Sequence, residues 1–448
     1  MHHWLFVVVL GSVAGAWAAA VVPGGAGAQG ISLVRLAPRR GDDVVAWTRA
    51  HSVHIANKYG LGGNSRPSAL RRSASSAPMY NFEHDSSWAT VLEFGPQRVR
   101  EMVVVDTGST DLWIDQQRVS LHKSKTFHNM SSPFNIQYGS GQVVGNVGRD
   151  DVVLAGHTAR GFHFGIAETG TNVSLPTGVN GIMGMAFKPL STTGSAPLWA
   201  ALPLSKHVFG LFMRREMTPA KNGQNSSGGF LTLNGVNASL FEGALNAVPV
   251  EPNGYWAVRL GGLYVGGHAV PLQAPSIAVI DSGTTLIGGP TDAVKALYHA
   301  IPGSKEIPES PGYYAYPCKL EPNVSFSFGT RQYGMSNDDF QVQVLAPENS
   351  NAPPDASDLQ CLGSVFALPA APHDAQWVIG GAFLKNVYTV FNGTGKPSVA
   401  FGSLRPTENA GSFVRPGRDT VSGARALDSR AARVRWAAVT AATLVALC

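Results

Sequence analysis

One short pattern occurs twice in this chain: four apolar residues running directly into Asp-(Ser/Thr)-Gly-(Ser/Thr). Met102 to Val105 lead into Asp106-Thr107-Gly108-Ser109, and Ile277 to Ile280 lead into Asp281-Ser282-Gly283-Thr284, 175 residues later. A second echo follows each motif: Gly181-Ile-Met-Gly184 and Val378-Ile-Gly-Gly381, an apolar pair beside glycine. Two halves with the same order of elements point to duplication, and so to two lobes with a cleft between them.

Composition agrees with a β-rich chain long enough for two cores. Of 448 residues, 44% are hydrophobic and only 14% charged, with 51 Gly and 29 Pro. Few charges and many turn formers suit short strands rather than long helices. Strand-like runs are Val91 to Phe94, Met102 to Val105, Val152 to Leu154, Phe230 to Leu233 and Val248 to Val250. Trp256 to Leu263 alternates before Gly266-Gly267, a hairpin signal. Helical signals are sparse: Thr291 to Ala300 follows Pro290, with Thr291 as the expected N-cap, and Asp43 to Tyr59 has a helical pattern.

Net charge is +5, but it is unevenly placed. Residues 1–72 hold eight Lys/Arg against two acids, and residues 423–448 hold four Arg against one acid. Between them stand 22 basic and 26 acidic residues, so a mildly acidic middle has basic ends. No nucleic-acid-binding stripe is present. The 13 histidines include no His-Glu-x-x-His arrangement and there is no Gly-x-Ser-x-Gly elbow, which argues against a metal site, a cofactor or a serine hydrolase.

An apolar strand ending in Asp-Thr-Gly delivers a carboxylate to the floor of a cleft. The glycine permits a tight turn and close approach of the partner loop. Hydroxyls of Thr107, Ser109, Ser282 and Thr284 can hydrogen-bond the carboxylates and the opposite backbone. Two carboxylates about 3 Å apart do not both ionise easily, so they share a proton over a wide acidic range. The charged member can draw a proton from water while the protonated one donates to a carbonyl. One Asp-Thr-Gly is a common structural turn; two with matching approaches specify a catalytic pair, Asp106 and Asp281.

Over about residues 79–405 the chain resembles the pepsin-like aspartic endopeptidases, of the kind secreted by fungi. That resemblance implies a mainly β, bilobal pepsin-like fold with pseudo-two-fold symmetry and the active site between the lobes. It implies protein and peptide substrates, large apolar side chains at the cut, and no cofactor or metal. Tyr138-Gly139-Ser140-Gly141 resembles the flap hairpin, with Tyr138 the flap tyrosine and Trp113 its hydrogen-bond partner. Gly139, Ser140, Gly283 and Thr284 match positions that bond substrate backbone, and Thr107, Gly108, Ser109 and Ser282 support the aspartates. Gly254-Tyr255-Trp256 and Trp377 to Asn392 look like family landmarks. Cys318 and Cys361 resemble the disulfide of the C-terminal lobe, which would contribute about 4 kcal/mol. Departures are clear too. Only 24 residues separate Trp113 from Tyr138, without cysteines, and Gly381 and Asn392 stand where relatives often carry Asp.

The ends read as processing segments. Residues 1–20 have the apolar run and small-residue cleavage site of a signal peptide, though no Lys or Arg precedes the run. Residues 21–72 form a basic prosegment ending at Arg71-Arg72, an inhibitor of the chain's own site in a zymogen. Lys58-Tyr59 resembles the Lys-Tyr that plugs the pair in related zymogens; a solvated lysine is the alternative. The lobes are expected at 73–250 and 251–405, followed by a linker at 406–424. Residues 425–448, a polar spacer and a thirteen-residue apolar tail from Trp436, fit a lipid-anchor (GPI) attachment signal, or else a docked terminal helix. Cys448 is removed or free. Sequons at Asn129, Asn172, Asn225, Asn237, Asn323 and Asn392 agree with the secretory route. The expected product is a monomeric enzyme, secreted or at the cell surface, with an acidic vacuole as the secondary location. The competing readings are an inactive pepsin-like binding protein at the cell surface and a purely structural surface protein.

Overall fold

The computed structural model describes residues 74–406, except 118, 120, 139–140, 169–172, 217–225, 309, 346–358 and 369–374. The signal peptide, the prosegment with Lys58-Tyr59, the tail with Cys448, Gly139, Ser140, Asn172 and Asn225 therefore lie outside the described residues.

The two motifs sit in two copies of one strand arrangement. In the first, Val99–Asp106 runs parallel to Gly181–Gly184, with Asp106 opposite Gly184. Gly181–Gly184 is antiparallel to Leu112–Asp115, which is parallel to His157–Ala167. In the second, Ile277–Ile280 is parallel to Trp377–Ile379, which is antiparallel to Ile287–Gly289, itself parallel to Val365–Ala367. Parallel strands covered on both faces need continuous apolar runs, which is why Val103 to Val105 and Ile277 to Ile280 do not alternate with polar residues. Register refines the second echo by one residue: Gly181–Gly184 corresponds to Trp377–Gly380.

A thirteen-stranded sheet joins the halves. The last strands of the described chain, Val387–Asn392 and Ser398–Leu404, return to it beside Val208–Met213 and Phe241–Pro249. A division of the sequence at 250/251 thus falls between strands, but the C-terminal strands cross back. At this seam Trp256 packs on Phe187 with centroids 4.3 Å apart, and Phe209 stacks on Phe391 at 4.8 Å. Trp88, Trp113, Trp256 and Trp377 are wholly buried.

The expected strands are all present, and the Gly266-Gly267 hairpin forms with both glycines at positive φ. The helix is Thr291–His299, but Pro290 occupies its N-cap and Thr291 is its first residue. Proline suits the start of a helix because its missing N–H has no role there. Cys318 and Cys361 are bonded, with Cα atoms 5.0 Å apart. Among the described sequons, Asn129 and Asn323 are exposed and Asn237 and Asn392 half-buried. No described helix is long and apolar enough to cross a membrane.

Candidate active site

Asp106 and Asp281 are both completely buried. The turn after each strand serves its carboxylate in the same way. Gly108 N donates to Asp106 Oδ1 at 2.9 Å and the Ser109 hydroxyl to Oδ2. Gly283 N donates to Asp281 Oδ1 at 2.8 Å and the Thr284 hydroxyl to Oδ2 at 2.6 Å.

The second residue of each motif ties the two loops together. Thr107 N donates to Ser282 Oγ at 3.1 Å, and Ser282 N to Thr107 Oγ1 at 2.9 Å. Each hydroxyl then donates to the strand on the far side: Thr107 to Ile280 O at 2.8 Å, Ser282 to Val105 O at 2.7 Å. These four bonds span the halves and hold the carboxyls in one frame. The carboxyls are within hydrogen-bond reach of one another.

Only glycine fits between them. A Cβ on Gly108 would lie 2.5 Å from the Asp281 carboxyl, and one on Gly283 2.3 Å from Asp106 Oδ1. Gly108→Ala must therefore push the loops apart, and a displacement of about 1 Å costs about 10²-fold in turnover. We expect that loss in kcat on a peptide substrate; an alanine variant with wild-type kcat would contradict this geometry.

Burial holds the Asp106 carboxyl well above the usual carboxylate range, and the neighbouring Asp281 charge raises it further. The bonds from Ser109 and Gly108 offset only part of this.

The hairpin of His128–Tyr138 and Gly141–Leu154 ends with Tyr138 opposite Gly141. Trp113 Nε1 donates to the Tyr138 oxygen at 2.9 Å, both side chains being buried. Burial, then the charge of Asp106, raises the Tyr138 phenol, so it stays a neutral donor.

Other sequence landmarks stitch the halves. Trp256 Nε1 donates to Met185 O at 2.8 Å, and Phe187 N to Gly254 O at 3.2 Å. Gly381 faces the Trp88 ring, where a Cβ would lie 2.7 Å from it, so an aspartate there would collide. Asn392 Oδ1 accepts from Thr394 N at 2.9 Å in a tight turn.

Three features escaped the sequence reading. Asp111, five residues after Asp106, is buried and accepts from Ser191 Oγ at 2.6 Å, Thr192 N at 2.7 Å and Thr193 Oγ1 at 2.6 Å. It thereby anchors the start of the loop Ser191 to Leu204. Lys385 is buried between Asp85 at 2.8 Å and Asp339 at 2.9 Å, and Arg215 also pairs with Asp339. Thr285 Oγ1 donates to Ser86 O at 2.7 Å. A lysine inside the apolar run Trp377 to Phe391, in a chain with few charges, was the available sign of the second. Among the described residues no group of three His, Cys, Asp or Glu side chains is placed to hold a metal ion.

Comparison with known proteins places this geometry. The family model for eukaryotic aspartyl proteases matches residues 87–404. Major aspartyl peptidase 1 of Cryptococcus neoformans var. grubii is 30% identical over 335 residues, 68% of this chain and 66% of its own length. An aspartic protease of Phaffia rhodozyma is 29% identical over 381 residues, covering 81% of this chain and 87% of that one. Mouse cathepsin E is 29% identical over 341 residues, 70% of this chain and 79% of its own. The chain belongs to the eukaryotic aspartyl protease family, as a pepsin-like aspartic endopeptidase of bilobal, mainly β fold.

Proposed function

We propose that Asp106 and Asp281 are the catalytic pair and that the enzyme cleaves proteins at acidic pH, preferring large apolar side chains at the cut. The observation that carries this reading is the pair of buried carboxyls, each served by the same two donors and cross-tied through Thr107 and Ser282. The ionised carboxylate takes a proton from water, and the resulting oxygen nucleophile adds to the scissile carbonyl carbon. The protonated carboxyl gives its proton to the carbonyl oxygen. The tetrahedral diol then collapses: one of its hydroxyls returns a proton to the carboxylate left ionised, the amide nitrogen takes the proton held by the other carboxyl, and the C–N bond breaks. Thr107, Gly108, Ser109 and Ser282 hold the pair, Trp113 holds Tyr138, and Tyr138, Gly139, Ser140, Gly283 and Thr284 meet the substrate.

The same reading makes the protein a zymogen, with residues 21–72 covering the cleft until an acidic compartment protonates the acids they pair with. It enters the secretory pathway, carries glycans at some sequons, and acts as a secreted monomer or one held at the cell surface by a lipid at its C-terminal end. The lobes are 73–250 and 251–405, with the strands after Leu384 completing the joint sheet. The alternative, an inactive relative that only binds peptides, would be expected to lack an aspartate, a motif glycine or the flap tyrosine; all are present.

A rate profile on a peptide library tests this. Cleavage blocked by pepstatin, with a maximum between about pH 3 and 6, is expected because a shared proton requires acid. A maximum above about pH 7 refutes the acidic mechanism, and no cleavage at any pH favours the binding protein.

A further inference from the structure

Three consecutive residues of the turn after Ser75–Phe82, none of them glycine, have left-handed backbone: Glu83 with φ 49°, His84 with φ 55° and Asp85 with φ 67°. Each such residue costs free energy because its Cβ crowds the following carbonyl, so the run persists only if its surroundings hold it. Glu83 is exposed and contributes nothing visible to that hold. Asp85 does. Its Oδ1 accepts from Glu216 N at 2.7 Å and from Asn81 Nδ2 at 2.5 Å, and its N–H donates to Asn81 Oδ1 at 3.0 Å. Its Oδ2 meets the buried ammonium of Lys385, from the other half of the chain, at 2.8 Å.

Both ends of this contact lead to Asp281. On one side, the turn continues into Ser86, whose carbonyl accepts the Thr285 hydroxyl at 2.7 Å. Thr285 adjoins Thr284, whose hydroxyl donates to Asp281 at 2.6 Å. On the other side, Lys385 caps the short helix Gly381–Leu384. The first N–H groups of that helix donate to Thr284 O and Thr285 O, each at 2.8 Å. A closed ring therefore runs from Asp281 through Thr284, Thr285, Ser86, Asp85, Lys385 and the helix back to Thr284. The first motif differs: Thr110, which corresponds to Thr285, donates to Phe187 O within its own half.

We propose that Asp85 and Lys385 are positioning residues for Asp281. Their ion pair holds the strained turn Glu83–Asp85 so that one lobe's hairpin fixes the loop that carries the other lobe's aspartate. The inference rests on Asp106 and Asp281 being the catalytic pair. Asp281→Asn is measured alongside, and activity retained there would remove that premise rather than the contact ring.

The test uses the full chain after its natural processing. Lys385→Met should lower kcat about 10-fold, with KM within about twofold, because a displaced carboxylate impairs the chemical step more than binding. Lys385→Arg should restore most of it. Adding Glu83→Gly to Lys385→Met should recover at least about threefold of the lost kcat, since glycine adopts the left-handed turn without strain. An unchanged kcat in Lys385→Met overturns the proposal, as does a loss that Glu83→Gly leaves untouched or that appears in KM alone. If Lys385→Met fails to fold, Thr285→Val removes the link to Ser86 without burying a charge. It should also lower kcat about 10-fold at an unchanged melting temperature, and wild-type kcat there equally overturns the proposal.

Discussion

Asp281→Asn lowers turnover on a pepstatin-sensitive peptide substrate by about 10⁴-fold, the upper range for a positioned acid or base. The amide is nearly the size of the carboxyl; its oxygen can still accept from Gly283 N, while its NH2, standing where the second oxygen was, can donate to the Thr284 hydroxyl oxygen instead. The fold should therefore survive, and the loss is chemical: an amide neither draws a proton from water nor returns one to the substrate. Asp106→Asn should behave alike, and the double variant should be little worse than either, because residues acting as one unit lose their function together. Single-turnover kinetics with circular dichroism on the same samples measures both halves of the expectation. Residual turnover within about tenfold of wild type would exclude a shared-proton mechanism at this pair.

The second large effect is on stability. Asp339→Asn should destabilise the protein by about 3–5 kcal/mol, because it leaves the buried Lys385 ammonium and the half-buried Arg215 guanidinium with one countercharge fewer. Burial alone would raise the Asp339 carboxyl, but the charges of Lys385 and Arg215 more than reverse that and hold it below the usual carboxylate range. With the folded pKa depressed, its contribution is fully present above the unfolded value of about 4 and fades as the pH falls through the folded one. Denaturant titrations at about pH 6 and 5 should thus show the same deficit, shrinking only in stronger acid. A variant as stable as wild type at about pH 6 would mean that the network offsets its own desolvation and no more. An enzyme working in acid gains from an ion pair of this kind, since it remains charged where ordinary carboxylates begin to neutralise.

Much of the site was legible because its information is local. Four apolar residues, an aspartate, a hydroxyl residue and a glycine are adjacent in the chain, and strand geometry alone sends the carboxylate to the strand end. Tyr138 and Trp113 were legible through family resemblance, and their bond at 2.9 Å closes the expected contact. The departure at Gly381 became intelligible only once the Trp88 ring was seen against it. The helix start was misplaced by one residue because Thr291 has the chemistry of a cap and Pro290 only the backbone angle for one.

The duplicated motifs by themselves determined two halves, a mainly β fold and two carboxylates brought together where the halves meet, since period and turn chemistry act over a few residues. Tertiary structure alone decided that the last strands recross to the joint sheet and that Lys385 is buried between two acids. It also decided that Thr285 is held by a carbonyl from the opposite half. Those contacts join residues 300 and 199 positions apart, Lys385 with Asp85 and Thr285 with Ser86. No local pattern encodes such pairings; they exist because folding brings two lobes, each with unfinished polar groups, against one another.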